Sequence, residues 1–293
     1  MELAIHLRSP EIGVEANLRP AQLAAKYLEP FYGEDLHWMP PPSLHRIYIG
    51  DEFCPHRLPG PAELEAYCTL SKALEVPLTL VSPVLTDDEL DRCTPLFDAL
   101  ADRVPQAEVV VNDWGVLSLL RARYPSFRLA AGRVLNKGFK DPRLDLRNEA
   151  LAADDALKQM IEGTTFTRTE FQSLAQRMGI ERLETDLLPY GDPKIEACPF
   201  QRSIYFPFGY ITSGRICWIA SFGQPASRKF VPLKSCRGPC RQLTLELHGS
   251  GFQFRVFQNG NTIFYLYTRA MMRDLLERAS DGSIRLVLQG LSF

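Results

Sequence analysis

An α/β fold of the TIM type, a (β/α)8 barrel with a late β-rich insertion, is what this sequence predicts. Three observations carry the expectation. The chain has 293 residues, about what one such barrel needs (typically about 250). Short runs rich in β-branched residues alternate with helical patterns along most of it, the mark of βα units around a parallel sheet. One late stretch, Tyr190–Thr268, breaks that rhythm and reads as strands joined by tight turns.

Taken in order, the expected barrel strands are Leu3–Leu7, Arg46–Ile49, Pro77–Val81, Glu108–Val111, Arg128–Ala131, Thr164–Thr167, Arg182–Leu187 and Ile284–Leu288. Between them, Ala62–Leu74 and Asp87–Ala101 place apolar residues at i, i+3, i+4 spacing. Thr86 precedes the second of these with Glu89 three residues on, a capping-box arrangement. Trp114–Arg123, Ala152–Glu162, Thr169–Met178 and Arg269–Ala279 read as further outer helices. Glu29–Ser43, dense in proline and aromatic residues, is expected to be a long loop. Inside the insertion, at about 190–268, the runs Gln242–Leu247, Phe252–Phe257 and Thr262–Tyr267 are separated by Gly249-Ser250-Gly251 and Gln258-Asn259-Gly260-Asn261, which predicts a β-meander. The whole chain, 1–293, is then one domain.

The formal charge is −2, which disfavours nucleic-acid binding through bulk electrostatics. No stretch approaches the ~18 uninterrupted apolar residues of a membrane span, and Met1-Glu2-Leu3-Ala4-Ile5-His6-Leu7-Arg8 lacks the pattern of a signal peptide. Seven cysteines, an odd number, point to a reducing, cytoplasmic setting where clustered thiols do metal or redox work.

Three of those cysteines form Cys217-x18-Cys236-x3-Cys240. Thiols grouped this closely, without the regular spacing of a disulfide framework, usually hold a soft metal centre. Zinc sites and cubane clusters commonly take four protein ligands, so a fourth donor must come from elsewhere.

Four segments resemble the collagenase-like peptidase family, which includes the UbiU and UbiV proteins of oxygen-independent ubiquinone synthesis and several RNA-hydroxylation proteins. They are Arg46-Ile47-Tyr48-Ile49-Gly50-Asp51-Glu52-Phe53-Cys54, Asn112-Asp113-Trp114-Gly115, Ala131-Gly132-Arg133-Val134-Leu135-Asn136, and Ser213-Gly214-Arg215-Ile216-Cys217 with Cys236 and Cys240. Their order and spacing cover nearly the whole chain. Where many members carry a further thiol shortly before the "S-G-R-C" cysteine, this chain has Phe208-Gly209-Tyr210. Ile216 is an extra residue between Arg215 and Cys217, and the gap to Cys236 is longer than the family's usual one. In the UbiV-like branch the missing ligand comes from just after the second strand, where Cys54 stands.

The resemblance implies a [4Fe–4S] cluster on Cys54, Cys217, Cys236 and Cys240. Zinc on the same thiols, or Cys198 in place of Cys54, are the alternatives; Cys68 and Cys93 lie in amphipathic helices and read as packing. The resemblance further implies oxygen-independent hydroxylation of a small molecule such as a ubiquinone precursor, and a heterodimer with a homologous UbiU-like barrel. A non-catalytic cluster- or zinc-bearing subunit is the competing expectation. Asp113, Arg133, Asn136 and Arg215 are the candidate substrate contacts, since the first three follow predicted strands on the rim where barrel enzymes keep their sites. Glu184 and Asp186 alternate to one face of their strand and are expected inside the barrel, with Leu183 and Thr185 toward the helices. His56, two residues from Cys54, is the histidine nearest the proposed centre in sequence. No G-x-S-x-G elbow or nucleophile with a base partner is visible, so the peptidase label gains no support; phosphate-binding glycine loops are absent too.

Overall fold

The structure is a computed structural model that describes residues 2–7, 20–33, 44–144, 154–189, 195 and 197–291. Eight parallel strands close a barrel: β1 (Glu2–Leu7), β2 (Leu44–Gly50), β3 (Leu78–Ser82), β4 (Glu108–Val111), β5 (Arg128–Ala131), β6 (Ile180–Asp186), β7 (Gln201–Phe206) and a final strand, Ile284–Gln289, which pairs with both β1 and β7. Helices α1 (Pro20–Tyr32), α2 (Pro61–Ala73), α3 (Asp87–Arg103), α4 (Trp114–Arg123), α5 (Asp155–Ile161) and α6 (Thr169–Arg177) fall between strands. This is the TIM-type α/β barrel expected from the alternation of patterns.

Three of the expected elements differ, the first being Phe252–Phe257, where the strand runs Val256–Asn259 and so takes in two residues expected in the turn. Thr164–Thr167 contains a 3-10 turn rather than a strand. Its threonines turn their hydroxyls on the local backbone: Thr167 Oγ1 accepts from Thr164 N at 3.2 Å and donates to Thr164 O at 2.8 Å. Short polar side chains offer the chain this alternative to a ladder, so β-branching here misleads. The missing barrel strand is β7, Gln201–Phe206, whose inward Ser203 lends it little apolar signal. Glu184 and Asp186 therefore stand on the sixth strand, not the seventh, and both do point inward. Glu29–Tyr32, expected in a loop, completes α1; residues 34–43 lie outside the described residues, as does His37.

The insertion springs from the C-terminal end of β7. It carries β8 (Phe208–Ser213), a short helix α7 (Trp218–Ser221), β9 (Thr244–Leu247), β10 (Val256–Asn259) and β11 (Thr262–Leu266), followed by α8 (Arg269–Arg278) and β12 (Ile284–Gln289). Its strands form an antiparallel sheet in the order β8-β11-β10-β9. Gly260, at φ +64°, and Asn261 make the turn that pairs Asn259 with Thr262.

Apolar faces of strands and helices meet in one large core outside the barrel, while Ala4, Tyr48, Val81, Val110, Ala130, Tyr205 and Val287 form a smaller apolar layer within it. Charged layers lie on either side of that inner layer. Below, Arg285 bonds Glu108, Glu2 and the Tyr48 hydroxyl. Above, Arg133, 0 % exposed, is held by Glu52, Asp186 and Gln289 and lies 3.6 Å from the Tyr205 ring centre. Burial works against the Arg133 charge, but Glu52 and Asp186 outweigh it and hold its pKa well above the ordinary value.

Candidate metal centre

The site begins where β2 ends. Gly50 sits at φ +91°, and a Cβ there would come 2.3 Å from Val81 O, so only glycine lets the chain turn over the barrel mouth. Asp51 then fixes the next residues, accepting from Phe53 N at 2.8 Å and Cys54 N at 3.0 Å, with Arg57 Nε 3.3 Å from its other oxygen. That turn aims Cys54 at the insertion.

From the other side, Asn261 donates to Phe53 O and to Gly214 O, both at 2.7 Å. Asn259 donates to Cys240 O at 3.0 Å and accepts from Arg57 Nη1 at 3.0 Å. His56 Nε2 lies 3.0 Å from Leu233 O. Strand ends and loops from the front and back of the chain are thus laced together across the rim.

Between them is a cavity of about 230 Å³, and Cys54, Cys217, Cys236 and Cys240 all line it, with Glu52, His56, Arg57, Glu89, Lys137 and Arg215. All seven cysteines are free thiols. Three of the four at the cavity have an N–H directed at the sulfur. Cys217 Sγ accepts from Ala220 N at 3.4 Å and Cys236 Sγ from Gly238 N at 3.3 Å, while Arg57 Nη1 lies 3.9 Å from Cys240 Sγ. Donors of this kind stabilise a thiolate and tune any metal bound to it. Burial, reinforced by Asp51, pushes the Cys54 thiol up to about 12, and burial raises Cys217 as well. Such thiols ionise when a cation takes the place of their protons.

As they stand, no three or more His, Cys, Asp or Glu side chains among the described residues are grouped in metal-holding geometry. The chemistry of the donor set nevertheless fits a soft metal centre: four cysteines line one cavity, three of them with an N–H on the sulfur.

Cys198 is elsewhere. It is buried beside α6, with Gln172 Nε2 at 3.4 Å and Phe166 O at 3.8 Å from its sulfur, and it does not line the cavity. Cys68 is buried on α2 and Cys93 half-buried on α3.

Of the four candidate substrate contacts, only Arg215 lines the cavity. It pairs with Glu89 at 2.7 Å, and Glu89 also accepts from Thr86 N and Oγ1 at 2.8 and 3.0 Å. Burial opposes ionisation of Glu89, yet these bonds hold its pKa at about 2. The capping box read in the sequence is therefore also the anchor of the cysteine loop. Asp113 caps α4, accepting from Gly115 N at 2.7 Å and Val116 N at 3.1 Å. Asn136 accepts from Phe166 N at 3.1 Å. Arg133 is sealed beneath the cavity floor, where its partner Glu52 forms part of the lining.

Asp51, Arg57, Asn259 and Asn261 were not singled out in the sequence. Asn259 and Asn261 there read only as turn residues, and nothing in their spacing signals that their side chains reach across the rim. No family model matches the chain, and no curated protein matches it in sequence.

Proposed function

We propose that this chain is an iron–sulfur protein, holding a [4Fe–4S] cluster on Cys54, Cys217, Cys236 and Cys240. The observation that carries the reading is that Cys54, from the front of the chain, lines the same cavity as the three late cysteines, whereas Cys198 does not. When bound, the cluster supplies one-electron redox chemistry. With a protein thiolate for every iron there is no open iron position, which suits electron delivery better than substrate binding at the metal.

This chain's own residues have definable roles. Asp51 and Asn261 position the Cys54 turn, Asn259 holds the Cys240 backbone, and Arg57 places a positive charge beside Cys240. The Ala220 and Gly238 amides stabilise negative sulfur. Such a centre, in a reducing cytoplasmic setting, would serve the oxygen-independent hydroxylation that the likeness to the UbiU and UbiV proteins implies, with a homologous barrel as partner. Among the described residues no helix is long and apolar enough to cross a membrane.

One observation favours the second reading, a cluster- or zinc-bearing subunit without a substrate site of its own. The barrel mouth under the cavity, the face at which such barrels carry their sites, is filled by the paired Arg133.

Anaerobic purification tests the reading. Brown protein, with broad visible absorbance bleached by dithionite, is the expected result; colourless protein with stoichiometric zinc supports the subunit with a structural metal instead.

A further inference from the structure

The segments that carry the late cysteines also form the most exposed apolar surface on the insertion. Trp218 and Phe222 are each 57 % exposed, Phe230 59 % and Val231 50 %. Trp218 opens α7 and Phe222 directly follows it. The Trp218 and Phe230 rings meet edge to face, 5.8 Å between centres. Phe230 is held at φ +62°, a conformation that bulky residues rarely adopt and that tends to persist at functional sites.

Along the segment that carries these rings the charge has one sign. From Ala197 to Leu245 the sequence contains no Asp or Glu, and Arg228, Lys229, Lys234 and Arg237 are all exposed. The two carboxylates nearest in the cavity wall are already committed, Glu89 to Arg215 and Glu52 to Arg133. An aromatic centre rimmed by unopposed cations is the anatomy of a protein-binding patch for an acidic partner.

We propose that this patch docks a small acidic electron-carrier protein of the ferredoxin type. The inference rests on the iron–sulfur reading above. Trp218 directly follows Cys217, and Lys234 and Arg237 flank Cys236, so a partner seated here touches the ligand-bearing segments themselves. In the exchange the carrier's reduced iron–sulfur centre loses one electron and the centre in this chain gains one, with no bond made or broken. A single-stranded nucleic acid is the less suitable occupant: two of the rings pack edge-on against each other, and Val231 adds aliphatic surface, whereas base stacking needs open ring faces.

The test uses the full chain and a fluorescently labelled acidic plant-type ferredoxin, with iron content measured on every preparation. Binding is expected to weaken at least tenfold between low and physiological salt. In an Arg228→Glu, Lys229→Glu variant it should weaken at least tenfold again, with unchanged iron. Phe230→Gly removes the ring while relieving its backbone, so it keeps the fold and should also weaken binding. Unchanged affinity in both variants overturns the proposal. So does tighter binding of a labelled single-stranded RNA that is lost in the same variants. A chain without iron that still binds the carrier through these residues would leave the docking face standing and refute only the cluster.

Discussion

Two regions of this molecule join the same distant parts of the chain by opposite means. In the barrel mouth, Arg133 meets Glu52 and Asp186, and Lys140 meets Asp186 at 2.7 Å, so that two buried cations face two buried carboxylates. Directly above, four cysteines line a cavity, three of them with an N–H on the sulfur. The lower network is complete within the protein. The upper set has N–H donors placed for negative sulfur and space beside the thiols, which is what the proposed metal centre would require. Closed charge balance marks structure, and converging donors mark a ligand.

Breaking the lower network should have the largest effect. Arg133→Met leaves Glu52 and Asp186 buried without their cation, and loss of one partner of a buried pair costs about 3–5 kcal/mol; urea unfolding should show it as a lower midpoint at unchanged slope. Breaking the upper set should do the reverse. Cys217→Ala is expected to abolish the visible chromophore while the metal-free chain unfolds within about 1 kcal/mol of the parent, since a half-buried thiol contributes little packing. Cys198→Ala, in the apolar core, should retain the chromophore and lose about 1–2 kcal/mol of stability.

A fourth prediction concerns pH. Glu184 is buried inside the barrel, where desolvation, only partly offset by Arg285, raises its pKa to about 7; one of its oxygens accepts from Tyr48 and the other has no partner. Its folded pKa exceeds its unfolded one, so the folded state binds the extra proton. The stability it contributes is full below about pH 4.5 and falls as pH rises to about 7. Glu184→Gln should flatten that slope in melting curves taken from pH 5 to 8, with unchanged iron content. The smallest effect belongs to Asp113→Ala, which removes the α4 cap for about 1 kcal/mol and should leave the metal untouched.

Much of this arrangement was legible beforehand, for reasons that differ by region. The barrel was readable because β1 to β5 are buried on both faces and so appear as short apolar runs. Strand β7 was not, because Gln201, Arg202 and Ser203 make its first half polar on both faces. Thr164–Thr167 misled because β-branching does not reveal whether hydroxyls will bond locally. At the rim, Cys54 was found through a likeness in sequence order. The side chains that place it, Asp51, Arg57, Asn259 and Asn261, act across separations that no local pattern encodes. Asp113 and Asn136 stand after their strands as read, with capping and loop hydrogen bonds as their visible roles.

The most direct measurement is iron and acid-labile sulfide per chain in anaerobically purified parent and Cys54→Ala proteins. About four of each in the parent, falling to well under half in the variant, is the predicted result. Full iron in the Cys54→Ala protein would contradict the account.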